Sequence, residues 1–343
     1  MKKTIAVLLT VCLFAVSGYS YGLRGHQLVG AIADRRLAKN QTVANKVKRL
    51  LSGLTLEQAA TLPDSIKGWD DCRRPPSNKP VTNKKRINTE LRAFLNANLC
   101  SSNPSHHEFH YTDVPVFGNE KYADGKVGRS EFDIVQMIPF CIRVLKGQEP
   151  ETNSRAITKS IAVILLAHYL GDIHQPLHVG AEYFNAAGKP FEPNMNNKGF
   201  ADQGGGKLTL FTLVNGKEES AGKFHGYWDG QTVENAFGTA SNATVAQRLA
   251  RKAPQNWRLT GGAETWAEQL ANEILPMARE AHDRLEFTKI QSETGAKDIT
   301  SGRAEEKKKR GATFYAIWAC ATVKDEIHKA GWRLAALLEE LLQ

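Results

Sequence analysis

Three histidines and an aspartate close an apolar run between Ala167 and Gly180 (AHYLGDIHQPLHVG). His168 and Asp172 stand four apart, so on a helix they share one face. His178 follows the break at Pro176. Imidazole nitrogens and a carboxylate converging at a helix end suit zinc or another borderline metal. A buried histidine with ordinary hydrogen bonds would account for any one of these residues, but not for the whole set. The same residue types recur along the chain: His26 near the start, Asp64 in LPDSIKG, His110 in FHYTDVP, and His225 with Asp229, again four apart, in FHGYWDG. Together these residues offer more side-chain donors than the four that one tetrahedral zinc takes. Two or three metals would use them, particularly if a carboxylate bridges. Clustered metals suit phosphoryl-ester cleavage, because one pair can polarise the phosphate and deprotonate water while another metal holds the leaving oxygen.

Helices must position this set. Apolar residues at Leu28, Ile32, Ala33 and Leu37 give residues 27–37 a helical period, which residues 43–51 continue. Residues 90–98 read as helix, as do residues 132–145, with Pro139 in the middle. Residues 154–172 form the strongest helix: Ile157, Ile161, Ile164, Leu165 and His168 share a side, and Val163 and Leu166 make it apolar nearly all round. Such a helix belongs in the core, and its His and Asp would sit at the floor of a cleft. Residues 207–214 alternate as a short strand or hairpin. Residues 265–287 and 313–342 read as long amphipathic helices, and residues 295–311 between them as a polar, charged insertion. Residues 72–89 read as an exposed loop, and residues 181–206 are rich in Gly and Asn with little periodicity. There is no internal repeat. The expectation is one mainly α domain over residues 21–343, with a minor β-hairpin.

Lys2 and Lys3 precede an apolar run from Ile5 to Val16, and Gly18-Tyr19-Ser20 supplies small residues for cleavage. Residues 1–20 therefore read as a signal peptide removed after Ser20, the run being too short to span a bilayer. The predicted location is secreted or periplasmic. Cleavage removes two lysines and no acids, taking the net charge from +9 to +7. A polyanionic partner is weakly favoured, and Lys307-Lys308-Lys309-Arg310 reads as a solvated loop. Cys12 leaves with the signal. Cys72, Cys100, Cys141 and Cys320 remain, and an even count in an exported protein permits two disulfides, in any of three pairings. Asn40 and Asn242 head glycosylation sequons, which a bacterial-looking signal makes unused.

At this point the chain resembles the zinc-dependent, single-strand-preferring nucleases that also act as 3′-nucleotidases, whose fold is shared with zinc phospholipase C. The resemblance rests on Tyr21-Gly22-Leu23-Arg24-Gly25-His26, on the block from His168 to His178, on His225-Gly226-Tyr227-Trp228-Asp229, and on the C-terminal AGWRLAALLEELL. It implies three zinc ions in one cleft. Asp64, His110, His168 and Asp172 would hold the first, and His178, His225 and Asp229 the second. His26, a bridging Asp172 and the α-amino and carbonyl groups of Tyr21 would hold the third. The amino ligand exists only after cleavage, so the uncut chain would lack a complete site. The resemblance also implies in-line attack of an activated water on phosphorus, yielding 5′-phosphorylated nucleotides from single-stranded DNA and RNA. Lys67 would stabilise transition-state charge. Asp113 would orient the water or a ligand histidine, with His174 as a further supporting candidate. Tyr111 would offer a stacking face to an unstacked base.

Tyr21 replaces the family's usual tryptophan, Leu62-Pro63 replace the tryptophan before the aspartate, and Gly204-Gly205-Gly206 lacks the usual asparagine. His106 and His107 crowd His110, which is favoured because H-x-x-D follows it. His282 and His328, in the C-terminal helices, read as structural or exposed. Two alternatives remain open: a zinc phospholipase C, whose spacing and last ligand differ, and a non-catalytic secreted polyanion-binding protein. No stable membrane association is expected, and a monomer is.

Overall fold

The computed structural model describes residues 21–70, 72, 77, 79–307 and 313–343. The segment read as a signal peptide and the run Lys308-Lys309-Arg310 lie outside the described residues. Four helices open the fold: α1 (Gly22–Leu37), α2 (Gln41–Leu50), α3 (Leu56–Ala59) and α4 (Leu62–Lys67). α1 starts five residues before the predicted boundary because Tyr21, in a left-handed conformation (φ 37°), turns the chain into the helix. Asn40 and Thr55 cap α2 and α3 with their side chains. Gly30 lets α1 approach the backbone of α3: a Cβ there would lie 2.4 Å from the Leu56 carbonyl oxygen. Asp34, one turn on, accepts hydrogen bonds from the Leu56 and Glu57 amides (3.0 and 3.1 Å).

α5 (Lys85–Ala97) begins inside the segment read as an exposed loop. Its first turn is basic and polar, and only Ile87 reaches the core there. A 3-10 turn (His106–His110) and a two-residue strand β1 (Val114–Pro115) lead to α6 (Ile134–Lys146), capped by Asp133. α7 (Lys159–Asp172), capped by Thr158, is buried from Ser160 to Asp172, as its all-round apolar sequence requires. A second 3-10 turn (Pro176–His178) follows, then β2 (Gly180–Ala181), which pairs in parallel with β1, and β3 (Tyr183–Phe184), antiparallel to β4 (Phe200–Ala201).

β5 (Leu208–Val214) and β6 (Lys217–Lys223) form the expected hairpin. Asn215 and Gly216 both have positive φ (51° and 75°), as a tight two-residue hairpin turn demands. α8 (Phe224–Gly226) runs into a wide i→i+5 turn over Tyr227–Gln231, then α9 (Thr232–Phe237), α10 (Asn242–Leu249) and α11 (Trp266–Asp283). Two expectations fail here. The predicted helix over residues 265–287 ends at Asp283 and gives way to β7 (Leu285–Ser292), and the predicted insertion contains β8 (Ile299–Glu306). β8 joins the hairpin in a four-stranded sheet of order β6-β5-β8-β7, parallel to β5. Only Ile299, Gly302 and Ala304 along β8 are aligned with the core side, so its composition looks like a loop. Its charges pair instead, Arg303 with Glu305 at 2.8 Å and over the Phe211 ring at 3.7 Å. α12 (Tyr315–Leu341) closes the domain against α1, where Gly331 meets Ile32.

Cys72 and Cys100 form a disulfide. The second permitted pair does not form, because Cys141 is sealed in α6 and Cys320 lies on α12. Among the described residues no helix is long and apolar enough to cross a membrane.

Candidate metal centre

The predicted donors arrive from six elements and meet at one place. α1 brings His26, α4 brings Asp64, the first 3-10 turn brings His110, and α7 brings His168 and Asp172. The second 3-10 turn brings His178, and α8 with its wide turn brings His225 and Asp229. Parallel pairing of β1 with β2, and the Thr112 amide donating to the His178 carbonyl (2.9 Å), set His110 and His178 side by side. The missing side chain of Gly171 makes room for His26, since a Cβ there would lie 2.8 Å from its Nδ1. The His26 ring stacks on that of His168 at 3.8 Å.

Asp172 is the hub. Its Oδ1 lies 3.2 Å from His26 Nε2, and its Oδ2 lies 2.9 Å from His110 Nδ1 and 3.1 Å from His168 Nε2. Asp64 faces the same group, with Oδ1 3.7 Å from His168 Nε2 and 2.8 Å from Lys67 Nζ. Asp229 makes a second centre, 3.3 Å from His225 Nε2 and 3.9 Å from His178 Nε2. The Tyr21 backbone nitrogen donates to Asp229 Oδ1 (3.0 Å), and the buried Tyr21 hydroxyl donates to the His174 carbonyl (2.8 Å).

Several of these atoms have no other use. His26 Nε2, Asp172 Oδ1, His178 Nε2 and Asp229 Oδ2 are buried without a hydrogen-bond partner, an expensive condition unless something else satisfies them. Zinc bonds of ~2.0–2.2 Å in a tetrahedron place donors roughly 3.3–3.6 Å apart. The His26–Asp172 and His225–Asp229 separations, 3.2 and 3.3 Å, lie close to that spacing. The opposite ring nitrogens are tied back: Nδ1 of His168, His178 and His225 meets the carbonyls of Ala60, His110 and Gly204 at 2.7, 2.8 and 2.8 Å. Donation from Nδ1 leaves the Nε2 lone pair aimed inward, the arrangement typical of metal-binding histidines. The donor set therefore fits a borderline metal.

Electrostatics agree. Burial pushes His110 and His178 down to about 3, so both rings are neutral at neutrality. Burial would raise Asp172 and Asp64, but the charges of His168 on the first, and of Lys67 and His168 on the second, outweigh it and hold both carboxyls below the usual range. Burial pushes Asp229 up to about 6, opposed by His225.

His110, His178 and His225 face a cleft of about 380 Å³ that Lys67, Tyr111, Asp113 and Gln203 also line. Burial, reinforced by Asp202 and Asp298, pushes Asp113 up to about 8. Its carboxyl makes no hydrogen bond to the cluster histidines. Tyr111 is 37% exposed on the cleft wall. His174 turns away from the cluster, with Nδ1 at the Leu170 carbonyl (2.6 Å) and Nε2 at Arg333 (2.8 Å). His282 is structural, bonded to Asp202, and His328 meets the carbonyls of Leu249 and Lys252. Sequence reasoning missed Gln175, whose Nε2 donates to Asp229 Oδ1 (2.9 Å). Its only signal was its place between two histidines in HQPLH.

The domain is mainly helical, and its buried His/Asp clusters, which could hold metal ions, open on a cleft. The family model for the S1/P1 nuclease matches residues 21–343, and the chain belongs to that family. It is a nuclease hydrolase whose family implies zinc and nucleic-acid substrates. No curated protein matches the chain.

Proposed function

We propose that the chain is a zinc-dependent nuclease that hydrolyses single-stranded DNA and RNA to 5′-phosphorylated nucleotides, and that it also removes 3′-phosphates from nucleotides. The observation that carries this reading is the set of buried, unpartnered donor atoms at the cleft floor. Asp64, His110, His168 and Asp172 would hold one ion, and His178, His225 and Asp229 a second. His26, Asp172 and the amino and carbonyl groups of Tyr21 would hold a third. Zinc held there would polarise the phosphate and make water nucleophilic near neutral pH.

The chain's own residues do the rest. Lys67, paired with Asp64 at the cleft edge, presents a cation to the charge that builds on phosphate oxygens. Tyr111 offers a half-exposed ring for an unstacked base. Asp113 lines the same cleft beside that ring, where it would orient the water or a ligand histidine. Preference for single strands would follow from a cleft that must bring phosphorus onto its buried floor, which a flexible strand enters more easily than a stiff duplex. We assign residues 1–20 as a signal, so that removal of Ser20 frees the Tyr21 amine at Asp229; export to the periplasm or medium follows, and a monomer suffices for the site.

The test is release of acid-soluble nucleotides from single-stranded DNA and RNA by the form that begins at Tyr21. It is run with chelator and again after zinc is restored. Zinc-dependent release with 5′-phosphate ends is expected. No release from protein of verified zinc content, with hydrolysis of phosphatidylcholine instead, overturns the reading.

A further inference from the structure

A separate donor cluster stands on the cleft rim. Asp70, His106 and His107 each present a ligand atom, and the three atoms lie within 4.8 Å of one another. His106 is 1% exposed, and neither of its ring nitrogens has a hydrogen-bond partner. Its Nε2 lies 3.4 Å from Asp70 Oδ2, near the ~3.3–3.6 Å edge of a tetrahedral zinc site. Asp70 Oδ2 is fixed in place by the Cys100 amide, which donates to it. The His107 ring lies 4.2 Å from that of His106 and also bonds the Asp70 carbonyl (3.2 Å).

We propose that Asp70, His106 and His107 hold a further divalent cation of the zinc class on the rim of the cleft, distinct from the ions at its floor. A fully buried imidazole with both nitrogens idle is costly, and a cation on Nε2 relieves that cost. Three protein donors leave one position of a tetrahedral ion for water or a phosphate oxygen. His107 lines the same cleft as Lys67 and His110, so that position opens beside the substrate path. Such an ion also ties two segments together. Asp70 follows α4, which carries Asp64 and Lys67, and His106 and His107 begin the turn that carries His110 and Tyr111. The Cys72–Cys100 disulfide spans the same two segments, so the ion would reinforce an existing clamp.

The test counts bound metal by mass spectrometry after dialysis against buffered zinc, for the wild type, His106→Phe, His107→Gln and Asp172→Asn. Circular dichroism checks each fold. His106→Phe and His107→Gln are expected to carry one ion fewer than the wild type while keeping the floor ions. Asp172→Asn is expected to lose floor ions and keep the rim ion. In the cobalt-loaded protein, the visible absorption of one site should vanish in His106→Phe. If His106→Phe does not fold, His107→Gln decides. Ion counts equal to wild type in the folded rim variants overturn the proposal, while loss of ions only in Asp172→Asn leaves the floor assignment standing.

Discussion

Replacing Asp172 by asparagine tests the centre most directly. The exchange keeps volume, so the core is not opened, but it removes a charge and turns one carboxylate oxygen into a donor. Asp172 touches three histidines through both oxygens, at 2.9 to 3.2 Å, and is fully buried. An interaction with a charged partner is worth ~1.5–3 kcal/mol. Losing one on each oxygen removes ~3–6 kcal/mol, and at ~1.4 kcal/mol per decade that weakens zinc binding by roughly 10²–10⁴-fold. The same loss shows in stability, because zinc raises folding stability only as far as it prefers the folded state. The assay is competition with a chromogenic chelator, paired with melting curves in zinc and in chelator. The variant is expected to lose most of the zinc-dependent rise in Tm and nearly all nuclease activity, its melt in chelator reporting separately the loss of the Asp172–histidine contacts. Zinc affinity within about tenfold of wild type, below the loss expected for even a supporting residue, would refute the bridging role.

Lys67→Met removes the cation beside Asp64 and is expected to lower kcat by about 10–100-fold with little change in KM, the pattern of a transition-state contact; a change confined to KM contradicts it. Reducing the Cys72–Cys100 disulfide, which spans a sequence separation of 28 residues, should lower stability by ~3.6 kcal/mol on chain-entropy grounds, read as the shift of a urea midpoint; an unmoved midpoint counts against this. Burial would lower His282, but its bond to Asp202 (3.1 Å) and the charges of Asp202 and Glu182 hold it above the usual histidine value. That stabilisation is complete below about pH 6.5 and fades as pH rises through the raised value. His282→Gln should therefore flatten the fall of Tm above pH 6.5 at fixed zinc, and an unchanged slope refutes the assignment.

The site was more legible than the sheet around it, for a physical reason. Donors such as His168 and Asp172 must share a helix face, and His225 and Asp229 repeat the same interval, so chemistry wrote itself into spacing. β8 had no such constraint. Its partners are far away in sequence, and Arg303 pairs with Glu305 on a half-buried face, so its charge content reads as loop. The end of α11 was misjudged because Leu285 and Phe287 continue an apolar rhythm that belongs to β7. α5 hid its first turn behind lysine and arginine, with Ile87 as the only anchor. Gln175 and the rim cluster went unseen because a bond to Asp229, or a nitrogen left idle at His106, exists only in three dimensions.

The cleft floor is built from parts of unequal rigidity. α7 is buried from Ser160 to Asp172, which places it at the slow-opening end of the domain. His168 and Asp172 share that slow clock. His225 sits on a three-residue helix with 22% of its side chain exposed, and its segment can breathe without disturbing α7. An ion at His178, His225 and Asp229 would therefore trade with solvent long before one at Asp172, and labelled zinc would fill the cleft in sequence, from the mouth inward.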